Sequence, residues 1–185
     1  MSCPEIVSGL NPGSMDLQLA AISPYVRRAR VTEAAQAAFL LRVAFAEVAA
    51  LYTPEALEAT LVDTETLRRR MTGEGAVWLA FVETRAVGTV SAIPRSEGLH
   101  VRSMAVHPES RGRGVGRALL DAVERFGRDR GHQRIFLRTT PFLTSAIALY
   151  SRSGFTMRED AERDFHGVPL FEMEKLLELD LRERG

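Results

Sequence analysis

The patterning of this chain predicts an α/β protein, with a mixed, mostly antiparallel twisted sheet of about six to seven strands and helices on both faces. Three observations carry that prediction. Short apolar runs of strand length are interspersed with longer segments whose apolar residues recur at helical spacing. Ala76–Glu83 and Ala86–Ile93 are joined only by Thr84-Arg85, a tight hairpin link, and Leu99–Val106 follows after the turn at Pro94–Gly98. A glycine-rich turn then leads from that third run into a long amphipathic segment, the crossover expected of a parallel connection.

Taken in order, residues 1–23 read as an extension, because Pro4, Gly9, Asn11-Pro12-Gly13 and Ser14 break any regular pattern. Asp16–Ile22 has room for one helical turn. Tyr25–Val31 reads as a first strand, and Thr32 as the N-cap of a helix through Glu47 that carries Ala38, Leu41 and Phe45. Pro54 opens a second helix, and Asp63 caps a third over Thr64–Met71 that ends at Gly73. After the three-strand meander, the amphipathic helix Arg117–Arg130 buries Leu119, Leu120, Val123 and Phe126 and stops at Gly131. Arg134–Thr139 is the next strand, Ser145–Arg152 a helix, Gly154-Phe155 the start of a further strand, and Val168–Leu176 the last. The expected organisation is one domain over 24–177 and a charged tail over 178–185.

Bulk composition excludes several classes. The 185 residues carry a net charge of zero, 45% hydrophobic and 26% charged residues, values of a soluble globular domain with a sizeable core. A neutral chain is not expected to seek nucleic acid or an anionic membrane. Lys175 is the only lysine among 24 basic residues, a bias that lowers the information in any single arginine. The single cysteine, Cys3, forms no internal disulfide, and His100, His107, His132 and His166 lack ligand spacing, so no metal is expected. No signal peptide is legible, and no unbroken apolar run approaches the roughly 18 residues of a membrane span. A cytoplasmic protein is the expectation.

The chemistry concentrates in Val106-His107-Pro108-Glu109-Ser110-Arg111-Gly112-Arg113-Gly114-Val115-Gly116-Arg117, between a strand and a helix N-terminus. The first helical turn has N–H groups without intrahelical partners, and the peptide dipoles add roughly half a positive charge there. Glycines let backbone approach an anion, and Arg111, Arg113 and Arg117 add forked donors suited to phosphate oxygens. A P-loop is excluded because Arg117 and Ala118, not a lysine and a hydroxyl residue, follow Gly116. A dinucleotide fingerprint is excluded because Gly112, Gly114 and Gly116 are spaced G-x-G-x-G.

What fits is R-x-x-G-x-G, filled by Arg111, Gly114 and Gly116 after a strand and His107-Pro108. This series closely resembles the acyl-CoA loop of the GNAT superfamily of N-acetyltransferases, and the element order along 24–177 matches that family's layout. The resemblance implies that backbone amides from Gly112, Arg113, Gly114, Val115, Gly116 and Arg117 hold the pyrophosphate of coenzyme A, with acetyl-CoA as acyl donor. A second mark is Ala146-Ile147-Ala148-Leu149-Tyr150-Ser151-Arg152-Ser153-Gly154-Phe155, which resembles the family's A-x-x-L-Y-x-x-x-G-F. It implies that Tyr150 protonates the leaving thiolate, a role suited to a phenol that keeps its proton at neutral pH. One departure is Leu143, where many members carry a cofactor-contacting asparagine; Thr140, Thr144 and Ser145 are the polar substitutes nearby.

In relatives the strand before the loop pairs its backbone with the pantetheine arm, a role that falls here on Met104 and Val106. The N–H of Met104 is the candidate to polarise the thioester carbonyl. On the same strand His100 and Arg102 alternate with Leu99 and Val101, and His100 is the candidate base, with Glu83 and Glu97 as alternatives through water. The implied reaction is direct attack of a primary amine, on a small molecule or a peptide, on the thioester. The acceptor pocket is expected from the Thr32–Met71 helices and a loop around Glu159–Gly167. A homodimer is compatible with this reading. The alternative is a non-catalytic acyl-CoA-binding or regulatory module of the same fold.

Overall fold

The computed structural model describes residues 23–158 and 163–178. The expected turn at Asp16–Ile22, Cys3, and the loop residues Glu159, Asp160 and Glu162 lie outside the described residues. The strands are β1 (Tyr25–Arg28), β2 (Ala76–Val82), β3 (Arg85–Arg95), β4 (Gly98–Val106), β5 (Arg134–Thr139), β6 (Thr156–Met157), β7 (Arg163–Phe165) and β8 (Val168–Leu176). The helices are α1 (Ala34–Phe45), α2 (Pro54–Thr60), α3 (Thr64–Thr72), α4 (Val115–Asp129) and α5 (Thr144–Arg152). The sheet runs β1-β2-β3-β4-β5-β8-β6, with β7 paired to β8. All pairings are antiparallel except β4 with β5, the strands joined by the α4 crossover.

Alternation along the central strands divides the core between two faces. Trp78, Ala80, Val90, Ala92, Leu99 and Val101 pack under α4, whose Leu119, Leu120, Val123 and Phe126 form the buried stripe its spacing predicts. Val77 and Leu79 point the other way, against Leu40, Leu41 and a row of alanines on α1 and Leu67 on α3. The helix starts follow local chemistry. The Thr53 hydroxyl accepts the Ala56 N–H at 3.2 Å with Pro54 in the first turn, and the Asp63 carboxylate accepts the Thr66 N–H at 2.7 Å.

Three expectations need correction. Thr32 does not cap α1: Val31–Glu33 forms a short 3-10 turn, and the Glu33 carboxylate accepts the Arg30 N–H at 2.7 Å while pairing with Arg27. The segment around Glu159–Gly167 is not all loop, since Arg163–Phe165 pairs with Val168–Leu170 as a two-strand turn; three residues are too few to show a period. The expected lack of a membrane-length apolar stretch changes as well. Val31–Leu51 is a 21-residue helical stretch containing an 18-residue window of mean hydropathy 1.6, long and apolar enough to cross a membrane by length and composition. Its alanines raise the average although Gln36, Arg42 and Glu47 interrupt the apolar run, and its buried face is the α1 side of the core.

Candidate active site

The site forms where β4 and β5 part. Their ladder covers only Leu99–Val101 against Ile135–Leu137, so the later residues of both strands have no partner across that edge. On its other edge β4 stays paired with β3, but with a bulge. The step from Thr89 to Ser91 faces the step from Ala105 to Arg102, so β4 carries one extra residue. Ser103 takes it up at φ 50°, a left-handed conformation that a non-glycine residue adopts at a cost. The bulge reverses the side-chain parity. Leu99 and Val101 face α4, Met104 and Val106 also pack on the α4 side, and Ala105 joins the α1 side.

Backbone donors follow the same logic. The His107 N–H donates to Val87 O at 2.8 Å, toward β3. By alternation the N–H and C=O groups of Met104 and Val106 face the opened edge, where a peptide-like ligand arm would extend the ladder.

The loop after β4 presents a second set of donors. Gly112 and Gly114 have φ of 75° and 77°, and no atom lies within 4 Å of where a Cβ would stand on either. This backbone is left-handed and open on its outer side, which glycine adopts freely. The first backbone bond of α4 is Ala118 N–H to Gly114 O at 3.0 Å. Among the described residues, the N–H groups of Gly112 through Arg117 therefore donate to no backbone carbonyl, at the positive end of a 15-residue helix.

The three arginines differ. Arg111 pairs with Glu47, and its Nη2 donates to Ala44 O at 3.3 Å, which ties the loop to the end of α1. Arg117 pairs with Asp121 at 2.8 Å and donates to Arg152 O at 3.4 Å, tying α4 to α5. Among the described residues Arg113 forms no ion pair and stands exposed.

Gly116 marks where the separate motifs converge. A Cβ there would stand 2.7 Å from Leu149 Cδ2 and 3.5 Å from Met104 Cε. The first turn of α4, the bulged part of β4 and the helix that carries Tyr150 meet at this point, and only glycine lets them close. Gly116 thus has a packing role in addition to its amide.

Tyr150 is 8% exposed in the α4-side core, with its ring 6.0 Å from Phe155. Burial, and secondarily the nearby Tyr52 phenol, pushes its pKa up to about 12, so it carries its proton throughout the neutral range. Tyr52 packs edge-on to Phe142 at 4.9 Å and is itself shifted upward by burial. At the end of β5 the buried Thr139 hydroxyl has no hydrogen-bond partner, and Thr140 is 2% exposed. Hydroxyls shut away beside an opened strand edge suit a polar ligand arm. Leu143 is the residue preceding α5 and supplies no side-chain cap.

His100 lies elsewhere, in the part of β4 still paired on both edges, opposite Ile93 and Phe136. Its ring is 6% exposed and stacks on Phe136 at 4.4 Å. Burial, with Arg102, Arg138 and Arg95, lowers its pKa to about 3, against a small opposing pull from Glu97. Glu83 and Glu97 sit in the β2–β3 and β3–β4 turns.

Sequence reasoning missed the Ser103 bulge, Arg70, Tyr52 and Thr139. A bulge has no periodicity signal of its own, and Arg70 is one arginine in an arginine-rich chain.

Comparison with known proteins identifies the family and the fold. Residues 43–155 match the family model described as the acetyltransferase (GNAT) family. Human N-acetyltransferase 8B is 35% identical over 95 residues, covering 48% of this chain and 41% of that protein. Rat N-acetyltransferase family 8 member 2 is 32% identical over 110 residues, covering 56% and 48%. The chain thus spans about half the length of the curated relatives it matches. Among solved structures, the PaiA N-acetyltransferase of Thermoplasma acidophilum, crystallised with coenzyme A, superposes with a TM-score of 0.70 at 16% identity, over 83% of this chain and 99% of that one. With a family match over more than half its length, the same fold, and a strand–loop–helix unit of the expected form, this chain belongs to the GNAT acetyltransferase family.

Proposed function

We propose that the protein is an N-acetyltransferase that transfers an acetyl group from acetyl-CoA to a primary amine by direct attack on the thioester. The observation that carries this reading is the convergence at Gly116 of free loop amides, the opened edge of β4 and the Tyr150 helix. In the proposed reaction the amides of Gly112–Arg117 bind the pyrophosphate, with Arg113 free to add charge. Met104 and Val106 pair with the pantetheine arm, and the Met104 N–H faces the thioester carbonyl. The N–C bond forms as the C–S bond breaks, Tyr150 gives its proton to sulfur, and the amine's excess proton passes to water. Positioning supplies much of the rate.

Incubation with acetyl-CoA and a broad amine panel tests this, with release of free thiol as the readout. Amine-dependent release is expected. Tight acetyl-CoA binding with no amine-dependent release would instead favour a binding or regulatory module.

An imidazole with a pKa near 3 is too weak a base to take a proton from an ammonium group at neutral pH. His100 is therefore proposed as a neutral, stacked side chain on the sheet face opposite α4 rather than the direct base. Its folded pKa lies below its unfolded value near 6.5, so the unfolded chain binds the extra proton between those limits. Stability should be intact above about pH 6.5 and fall as pH drops toward 3, by up to roughly 1.4 kcal/mol per pH unit. His100→Gln should flatten that slope in denaturant titrations and leave the acidic limb of the kcat/KM profile unmoved. Loss of the limb would return His100 to the role of base.

A further inference from the structure

The face of the sheet opposite α4 carries arginines from three strands and from α3, and their charges are unequally balanced. Arg134 pairs with Glu172 at 2.6 Å and with Glu174, and Arg138 with Glu172 at 3.2 Å. Arg70, Arg95 and Arg102 have no carboxylate within ion-pair distance among the described residues. Arg95 is exposed, but Arg70 and Arg102 are half-buried. Arg70 spends its Nη1 on two neutral hydroxyls, Ser103 Oγ at 2.8 Å and Ser91 Oγ at 3.3 Å. Burial and the neighbouring guanidiniums Arg102 and Arg95 push its pKa down to about 10, and burial, Arg95 and Arg138 lower that of Arg102 as well. Like charges withdrawn from water without a counter-charge cost stability, and a fold keeps such an arrangement where a ligand completes it.

The space for that ligand is present. Arg70, Arg95 and Arg102 line an open groove of about 450 Å³ with Thr66, Arg69 and Glu74, and among the described residues Glu74 forms no ion pair with these arginines. Arg102 of the groove lies two residues before Met104 on β4, and Arg70 donates to the hydroxyl of Ser103 between them.

We infer that this groove reads an anionic group on the acceptor, a carboxylate or a phosphate, held by the forked donors of Arg70 and Arg102 beside the strand that leads to Met104. That assigns the acceptor class within the acyl-transfer reading above, on which it rests: small zwitterionic amines such as α-amino acids or aminoalkyl phosphates, in preference to neutral amines or polyamines. Arginine suits both anions because its planar donor pair meets two oxygens at once.

The test compares matched acceptors that differ only in the anion, phenylalanine with phenylalaninamide and O-phosphoethanolamine with ethanolamine. Turnover with acetyl-CoA and calorimetric titration of each compound into the intact protein are read in parallel. In at least one pair the anionic member should show kcat/KM about tenfold or more above its neutral partner and correspondingly tighter binding. A preference in the first pair identifies a carboxylate, and in the second a phosphate. Arg102→Met and Arg70→Met should abolish the preference by raising KM for the anionic acceptor, with KM for acetyl-CoA unchanged in Arg102→Met, whose side chain, unlike that of Arg70, makes no hydrogen bond to Ser103 in the bulge. Arg102→Met should also not lower Tm, because the replaced cation has no carboxylate partner to lose. Equal binding of both members, no binding of the anionic ones, or a preference for the neutral ones overturns the assignment. Failure of the wild-type protein to bind acetyl-CoA would overturn the acyl-transfer reading, while the titrations still report anion preference.

Discussion

Gly114→Glu is expected to abolish acyl-CoA binding while the protein stays folded. Gly114 has φ 77° and precedes α4, with nothing within 4 Å of a Cβ, so a side chain there projects into open space rather than into the core. The left-handed conformation would cost a non-glycine residue about 1–2 kcal/mol, a loss a domain with this core can absorb. The larger effect is electrostatic. A carboxylate would sit among the unpartnered N–H groups of Gly112–Arg117, at the helix end proposed to take a pyrophosphate, and would both satisfy those donors and repel the ligand. Calorimetry with acetyl-CoA should show no measurable binding, and circular dichroism an unchanged fold. Gly114→Asn, which tolerates the left-handed region and adds no charge, should retain part of the affinity. Unaltered affinity in the glutamate variant would mean that the loop does not bind the pyrophosphate.

Tyr150→Phe should lower kcat by roughly 10²–10⁴-fold with little change in acyl-CoA affinity, the usual scale for loss of a general acid. The substitution keeps the ring in its packing against Phe155 and removes only the hydroxyl. Burial holds the phenol pKa near 12, so the donor remains loaded at every pH where the protein would work. No alkaline loss of activity below about pH 10 should therefore trace to this residue. Single-turnover measurements with a fixed amine separate this chemical step from product release. Near wild-type turnover would leave Tyr150 with a structural role alone.

Most of the element order was legible. β5 and β8 begin and end where the patterning places them, and α3, α4 and α5 differ from expectation by a residue or two at their ends. Asp63, Pro54 and Gly131 act locally, through a cap, a fixed φ and a left-handed stop, and local effects are readable from neighbours in the chain. The eighth strand was missed because β7 is three residues long and exists only by pairing with β8.

For the site, sequence alone determined the glycine-rich turn at a helix N-terminus and the Ala146–Phe155 segment, because their spacing is itself the signal. It could not determine what the loop arginines do. Arg111 and Arg117 fit a phosphate by type, yet the fold gives them Glu47 and Asp121, one of them from a helix 64 residues away. Nor could it place His100, whose residue type suits a base but whose burial among Phe136 and three arginines drains its basicity. The bulge at Ser103, the opening between β4 and β5, and the uncompensated arginines beside them belong to tertiary structure alone. Each depends on which strands pair and where that pairing stops, and on how much water is excluded from a charge. Those quantities are set by residues distant in sequence, so no local pattern in the chain encodes them.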